Sequence, residues 1–365
     1  MTVENTIRRR ARKPASPMKT LADVAELAGV STASVSRALN DGYGVSAEMK
    51  QRVERAVEAL GWVPNGAAKA LASQRTRIVG VLLPTLEFPK FGTVVEGLQR
   101  YLSSRGYTLL IACTEHGEES AMKQALKMVE GGVECLVLVG LSQPPALLPY
   151  LSERNIPTVI TYTAGSEETG TTPGLRVIGF DNKSAMEQVV DHLLELGHRD
   201  FGCITISRDG HNDRINQRVD GIRDALARQG IAIRPQHMIE VPESFIRSGR
   251  AGLSKMLEAP DWPTAVICSN DYYALGALFE ANDRGISIPG QMSIVGFDDL
   301  ETGMHIRPSL TTVSTPNREM GLAVARYIVS LLEGEAIEEP PPLEASIIVR
   351  ESSGPVPSAR GAKAG

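Results

Sequence analysis

A regular alternation of strand-like and helix-like segments, beginning at Ile78, constrains the fold more than any other feature of this 365-residue chain. The runs IVGVLLP and TAVICS are almost continuously apolar, as are strands buried on both faces. The segments FGTVVEGLQRYLSSRG and DYYALGALFEANDRG follow them with the apolar spacing of amphipathic helices. This alternation predicts an α/β architecture, with parallel sheets covered by helices on both faces.

Two helical segments of this region are similar to each other. Residues 97–107 and 221–231 share two glycines and a central leucine, and each copy precedes a strand. Amphipathic helices that end in glycine can look alike, so one interpretation is coincidence. The other is a pair of similar α/β lobes, with a ligand bound between them, outside the carboxyl ends of the strands.

A separate helical pattern precedes the α/β region. The segment TLADVAELAG has apolar residues at helical spacing, with Thr20 as the capping residue, Asp23 completing a capping box and Gly29 at the end. The next segment, STASVSRALN, predicts a second helix. Small Ala25 lets the two helices approach, Gly29 takes the turn and Val35 packs between them, so the spacing indicates a helix-turn-helix.

The third predicted helix, AEMKQRVERAVEALG, is followed by the alanine-rich segment PNGAAKALASQRTR. Eight helical residues are marginally stable alone in water, so this segment is predicted to be a linker, or a hinge that folds on binding. The sequence thus predicts five parts: a flexible basic arm at 1–17, a helix-turn-helix domain at 18–63, a hinge helix and linker at 64–77, a two-lobed domain at 78–352 and a flexible tail at 353–365.

Charge is distributed unevenly along the chain. Residues 1–77 hold 13 Lys and Arg against 7 Asp and Glu, a net charge of +6, whereas residues 78–365 carry a net charge of −11. A basic head on an acidic body favours a polyanion as the partner of the head alone. The alternative is a solvated surface without a charged partner. The five basic residues of the arm would add salt-sensitive affinity for DNA.

Several functional classes are disfavoured by what the sequence lacks. No run approaches the roughly eighteen apolar residues of a membrane span, and the N-terminal residues have no apolar core of a secretory signal. The four cysteines are far apart, which predicts a reduced, cytoplasmic protein without a disulfide framework or zinc site. The sequence has no phosphate-binding loop, dinucleotide fingerprint, HExxH or GxSxG motif, so we expect neither an enzyme nor a bound metal or cofactor.

The motifs, in their order along the chain, resemble the lactose/galactose-repressor (LacI/GalR) family of bacterial transcription regulators. The resemblance covers about residues 18–352 and rests on TLADVAELAGVSTASVSRALN in the head and on IGFDNKSAMEQVV, SNDYYALGALFE and SIVGFDD in the body. It implies a small all-α helix-turn-helix head, a hinge helix and a two-lobed core like that of periplasmic binding proteins. VGVLLPTLEFPKF, IGFDN and SNDYYALGALFE look most like the gluconate-repressor branch.

In that family the second helix lies in the major groove of DNA, and a hinge leucine inserts into the minor groove. Arg37 can make a bidentate contact with guanine; a phosphate contact without sequence content is the alternative. Leu71 matches the inserted leucine, and an ordinary helix anchor is the alternative. The residues that the resemblance assigns to DNA binding are Thr20, Leu21, Thr32, Ala33, Ser34, Ser36, Arg37, Asn40, Asn65, Ala68 and Leu71.

The resemblance also implies an effector site between the lobes, formed by Lys90, Phe91, Tyr162, Asp181, Arg218, Asn270 and Asp298. Lys90 and Arg218 can pair with a carboxylate or phosphate, and Asn270 and Asp298 suit hydroxyls, a mixture that fits a polyhydroxy acid. Tyr162 stands where the family has a sugar-binding aspartate, which argues against a neutral sugar. Helix capping is the alternative role for the two aspartates and for Asn270, and a salt bridge across the cleft is the alternative for Arg218.

These features predict a homodimeric repressor of genes for sugar or sugar-acid metabolism. We expect it to bind a near-palindromic operator and to be released by an effector such as gluconate. A corepressor-type regulator that responds to another metabolite remains an alternative. So does a two-lobed sugar-binding transport protein, although such a protein needs no DNA-binding head.

Overall fold

The computed structural model describes residues 19–39, 44–63, 66–114, 117–165, 174–207 and 212–356. The predicted basic arm, residues 1–17, lies outside these described residues. The chain divides into two compact units, Met1–Thr76 and Arg77–Gly365. Among the described residues, no helix is long and apolar enough to cross a membrane.

The first unit is helical in its described residues. Its helices are α1 (Leu21–Ala28), α2 (Thr32–Leu39), α3 (Ala47–Leu60) and α4 (Gly66–Ser73). Thr20 Oγ1 accepts a hydrogen bond from the backbone N–H of Asp23, whose carboxylate accepts one from the N–H of Thr20 at 2.7 Å. Gly29 ends α1 with a φ of 64°, in the left-handed region that glycine adopts without a steric penalty. Val35 is fully buried in the core that α1, α2 and α3 share, as a helix-turn-helix requires.

The second unit begins with a five-stranded parallel sheet, which forms the first lobe. Its strands have the order β2-β1-β3-β4-β5. They are β1 (Ile78–Leu83), β2 (Thr108–Cys113), β3 (Cys135–Val139), β4 (Thr158–Thr161) and β5 (Leu175–Ile178). The helices that connect β1, β2, β3 and β4 are α5 (Pro89–Ser104), α6 (Glu118–Glu130) and α7 (Leu147–Glu153).

The second lobe repeats this arrangement around a four-stranded parallel sheet of order β7-β6-β8-β9. Its strands are β6 (Phe201–Ile206), β7 (Met238–Val241), β8 (Ala265–Cys268) and β9 (Ser293–Val295). Its helices are α8 (Asn182–Glu195), α9 (Asp213–Ala227), α10 (Ile246–Met256) and α11 (Asp271–Asp283). The similar segments 97–107 and 221–231 belong to equivalent α5–β2 and α9–β7 connections, which supports the two-lobe interpretation.

The chain crosses between the lobes after β5, again after β9 and once more near its end. The second crossing contains α12 (Glu301–His305) and β10 (Thr312–Ser314) and leads to α13 (Asn317–Glu333), which packs along α5 in the first lobe. The third crossing contains β11 (Ser346–Ile348), which pairs antiparallel with β10. The helical head and the two-lobed body of parallel sheets confirm the predicted fold class.

The predicted flexible tail begins too early at residue 353. The backbone N–H of Val356 donates to the carbonyl of Leu196 at 2.9 Å. The carbonyl of Gly354 lies 3.0 Å from Nε2 of the buried His198. Residues 353–356 are therefore part of the second lobe, because their backbone groups form hydrogen bonds with it. Residues 357–365 lie outside the described residues.

Candidate functional site

Helix α2 carries five of the eleven residues that the sequence suggests for DNA contact, and it exposes three of them. Thr32, Ala33 and Arg37 are exposed, whereas Val35 on the same helix is buried in the head core. Arg37 Nε lies 3.4 Å from the carbonyl of Ala33, so its guanidinium remains on the outer face. This face can present a bidentate donor pair and short polar or methyl groups to a groove of DNA.

The remaining DNA-binding candidates have more varied positions. Ser34 and Ser36 are half-buried, and Ser34 lies against Ser31, whose hydroxyl caps α2. Thr20 is engaged in the capping box of α1, and Leu21 packs partly against the head core. On α4, Ala68 is exposed and Leu71 is 84% exposed. Asn40 and Asn65 lie outside the described residues.

A cleft of about 740 Å³ lies between the two lobes of the second unit. It is at the carboxyl ends of β1, β2, β3, β6 and β8, where ligands of parallel α/β sheets bind. Five of the seven effector candidates line it, namely Lys90, Phe91, Arg218, Asn270 and Asp298. Its volume suits a small metabolite.

A partly buried ion pair between Lys90 and Asp298 lines the cleft. Lys90 Nζ donates to both carboxylate oxygens of Asp298, at 3.0 and 2.8 Å, and Arg218 Nη2 lies 3.8 Å from the same carboxylate. Burial lowers the pKa of Lys90 to about 8 and that of Arg218 to about 10, and the charge of Asp298 opposes both shifts. Arg218 also donates to Asn182 and to the carbonyl of Ser269, each at 2.9 Å.

The segment that carries Asp298 has a strained backbone. Asp298 has a φ of 111° and Asp299 a φ of 53°, values that non-glycine residues rarely adopt and that cluster at functional sites. Asp271 holds this segment, because its carboxylate accepts hydrogen bonds from the backbone N–H of Leu300 at 2.7 Å and from Thr312 Oγ1 at 2.6 Å. Asp298 is thereby aimed at Lys90.

Two effector candidates do not line the cleft. Asp181 is exposed and caps α8, accepting hydrogen bonds from the backbone N–H groups of Lys183 and Ser184. Tyr162 is 1% exposed and donates its hydroxyl to the carbonyl of Lys90 at 3.0 Å, so it supports the cleft wall from behind. Asp181 therefore has the capping role in this structure. Asn270 lines the cleft and also caps α11 by accepting from the N–H of Tyr273.

Three lining residues that matter were not predicted from the sequence. The rings of Phe88, before α5, and Tyr272, on α11, face each other across the lobes with centroids 5.4 Å apart. Arg214 lies on α9, four residues before Arg218. This spacing places Arg214 and Arg218 on one helix face, a signal that could have identified Arg214 once Arg218 was assigned. No group of His, Cys, Asp and Glu suited to a metal ion occurs among the described residues.

A head with an exposed recognition surface and a body with a ligand-sized cleft define a ligand-responsive DNA-binding regulator. Residues 20–65 match the family model of bacterial regulatory proteins of the lacI family, and residues 190–353 match that of the periplasmic binding protein-like domain. The HTH-type transcriptional regulator GalR from Escherichia coli (strain K12) is 31% identical over 345 residues, which cover 93% of this chain and 97% of GalR. The chain belongs to the lacI family.

Solved structures agree with this assignment. The lac repressor dimer, bound to operator and the anti-inducer ONPF, aligns with a TM-score of 0.80 at 26% identity, over 92% of this chain and 99% of that one. The transcription regulator GntR from Chromobacterium violaceum aligns with a TM-score of 0.69 at 27% identity, over 76% of this chain and 99% of that one. The protein is therefore a ligand-responsive DNA-binding repressor of the lacI family, and it is not an enzyme.

Proposed function

We propose that this repressor binds a near-palindromic operator as a homodimer and that a polyhydroxy acid in the cleft releases it. The cleft carries the proposal. It is a ligand-sized space at the carboxyl ends of two parallel sheets, and its lining combines cations with amide and carboxylate groups. Such a lining suits a ligand that has both hydroxyl and anionic groups.

In this proposal α2 enters the major groove. Arg37 pairs with guanine, while Thr32, Ala33, Ser34 and Ser36 contribute smaller contacts. Leu71 inserts into the minor groove, and its 84% exposure supports this role, because a leucine that anchored α4 to a core would be buried. Since operator DNA is cytoplasmic, the protein acts there.

Two observations support a homodimer. The similar lac repressor structure is a dimer on its operator. In this chain Leu110 and Ile111, on the edge strand β2, are 41% and 39% exposed, and apolar side chains on an open sheet edge favour association. A dimer would place two α2 helices on two half-sites and let two α4 helices pack together.

The effector class follows from the lining of the cleft. Three cations, Lys90, Arg214 and Arg218, are gathered there, and Asn270 and Asp298 provide hydroxyl partners. Tyr162 stands behind the wall, so its position supplies no acidic partner for a neutral sugar. The resemblance of VGVLLPTLEFPKF, IGFDN and SNDYYALGALFE to the gluconate-repressor branch makes gluconate the first acid to test.

Calorimetric titration of the full-length protein tests the effector class. We expect binding of gluconate, 2-ketogluconate or 6-phosphogluconate and none of glucose or a purine. Binding of only glucose or the purine would refute the sugar-acid proposal and leave the family assignment intact.

The second experiment determines the direction of regulation. A random DNA library enriched on the protein supplies an operator, and fluorescence anisotropy then measures its affinity with and without the bound acid. An acid that weakens operator binding is an inducer, as proposed; one that strengthens it makes the protein a corepressor-type regulator. Enrichment of no DNA would refute operator binding altogether.

A further inference from the structure

Two of the three cations in the cleft already donate hydrogen bonds to groups of the protein. Lys90 donates to both carboxylate oxygens of Asp298. Arg218 donates through Nε and Nη1 to Asn182 and Ser269, and its guanidinium carbon lies 3.6 Å from the centroid of the Phe297 ring. An anion that bound either cation would displace bonds that organise the cleft, and the loss of those buried bonds would offset its own.

Arg214 is the exception. Its Nε is shielded from solvent and has no hydrogen-bond partner. Among the described residues its guanidinium makes no side-chain hydrogen bond or ion pair, although it lines the cleft. An N–H group that is shielded from water and has no acceptor lowers the stability of the folded protein, because it loses its hydrogen bond to water without gaining another. The flat guanidinium matches two oxygens of a carboxylate or phosphate, so an anionic ligand group would remove that cost.

Among the described residues, the acidic side chains that line the cleft are engaged elsewhere or exposed. Asp213 accepts hydrogen bonds from the backbone N–H groups of Leu141 and Ser142, at 2.9 and 3.3 Å. The lining contains three glutamates, and all three are exposed: Glu87, Glu118 and Glu243. Of these, Glu243 pairs with Arg247. Among the described residues, Arg214 is therefore the cation of the cleft lining that has neither an ion pair nor a side-chain hydrogen bond.

We propose that Arg214 binds the anionic group of the effector, a carboxylate or a phosphate, and determines the selectivity for acids over uncharged polyols. Lys90 and Arg218 instead hold Asp298, which accepts ligand hydroxyls. The inference rests on the proposed function, because it concerns the same cleft and the same class of ligand. It moves the anion-binding role from Lys90 and Arg218 to a residue four positions before Arg218 on α9.

Calorimetry on the full-length protein tests the assignment. The ligands are gluconate and 6-phosphogluconate, with gluconamide and sorbitol as uncharged analogues. The variants are Arg214→Met, which keeps the apolar stem, and Arg214→Lys, which keeps the charge. Arg223→Met, exposed on the same helix, is the matched control. We expect Arg214→Met to lose affinity for the acids by about tenfold to a hundredfold and to keep that for the uncharged analogues within about twofold.

The outcomes separate this inference from the proposed function. Arg214→Lys is expected to lose less affinity than Arg214→Met, and Arg223→Met to match the unchanged protein. Binding of gluconate identifies the ligand group as a carboxylate, whereas binding of 6-phosphogluconate alone identifies it as a phosphate. If Arg214→Met binds the acids normally, or loses acid and uncharged analogue equally, Arg214 is not the anion site and the proposed function stands. If the unchanged protein binds neither acid, both fail.

Discussion

Asp271 is a buried carboxyl group that holds the segment carrying Asp298 in place. It is completely shielded from solvent, and burial raises its pKa to about 7, although hydrogen bonds from Thr312 and Leu300 act in the opposite direction. Ionised Asp271 therefore costs the folded protein free energy. In return, the carboxylate fixes the segment that presents Asp298 to Lys90.

We predict that Asp271→Asn makes the free energy of unfolding depend less on pH between about pH 4 and pH 7. The folded-state pKa lies above the ordinary value of 3.8, so the folded protein binds more protons between these values, and the contribution of Asp271 to the free energy of unfolding falls as the pH rises from about 4 to about 7. The amide does not titrate. The stability of the variant relative to the unchanged protein should therefore rise over this interval, by up to roughly 4 kcal/mol.

Urea unfolding at pH 4, 5, 6 and 7 measures this change. Asn282→Ala, at an exposed position of the same helix, is the control; it removes no titratable group and should show a constant difference from the unchanged protein. A constant difference for Asp271→Asn as well would contradict the prediction.

Polar residues that follow strands show how far single residues can be assigned from sequence. Asp181, Asn270 and Asp298 occupy similar local patterns, but Asp181 only caps a helix, Asn270 caps and lines the cleft, and Asp298 binds Lys90. The local pattern could not separate them, because Lys90 lies 208 residues from Asp298 in the chain. The role of each residue depends on how the lobes bring distant segments together.

At the level of elements, long periodic helices and continuous apolar strands were predictable, whereas the short strands β10 and β11 and the helix α10 were not. The strands β10 and β11 have three residues each, too few for a periodic pattern. Helix α10 contains two interior glycines, which lower its intrinsic helix propensity. It exists because of packing: a Cβ at Gly249 would lie 2.2 Å from the carbonyl oxygen of Tyr273 on α11, so glycine permits the two helices to touch.

The hinge helix α4 is an element whose stability depends on its surroundings. Its eight residues are marginal in isolation, and Leu71 contributes little to a core at 84% exposure. Stabilisation by insertion into a specific DNA site would couple the folding of α4 to operator binding.

We predict that Leu71→Ala weakens operator binding by about tenfold or more while changing the affinity for scrambled DNA by less than about twofold. The inserted side chain contributes only where the minor groove opens, whereas non-specific affinity comes from phosphate contacts. Fluorescence anisotropy on both DNAs at one salt concentration measures the two affinities. Leu27→Ala, at a 56% exposed position of α1, is the matched control. Equal losses on the two DNAs for Leu71→Ala would rule out the insertion.

At the scale of the whole ligand-binding unit, the two lobes are joined by contacts that close around the cleft. The carboxylate of Asp213 in the second lobe accepts from the N–H groups of Leu141 and Ser142 in the first. Phe88 and Tyr272 meet across the cleft. Because these contacts depend on the angle between the lobes, they are suited to couple ligand binding to a change of that angle.

We predict that Asp213→Ala makes closure less favourable and lowers effector affinity by about threefold to tenfold, since one side chain loses two hydrogen bonds to the opposite lobe. Asp213→Asn keeps one acceptor oxygen and should lose less effector affinity. Asp191→Ala, at an exposed position of α8, is the control and should bind the effector as tightly as the unchanged protein. Calorimetry measures affinity, and anisotropy measures the effector concentration that releases half of the operator. That concentration should rise by the same factor as the dissociation constant.

Uncharged analogues distinguish this effect from that of the neighbouring Arg214. Closure of the lobes surrounds every ligand, so Asp213→Ala should lower the affinities for sorbitol and for gluconate by similar factors. Arg214→Met should lower only the affinity for gluconate. A loss confined to the acid would mean that Asp213 acts by orienting Arg214 and not by joining the lobes. Unchanged affinity for both ligands would mean that the two hydrogen bonds do not contribute to closure in solution.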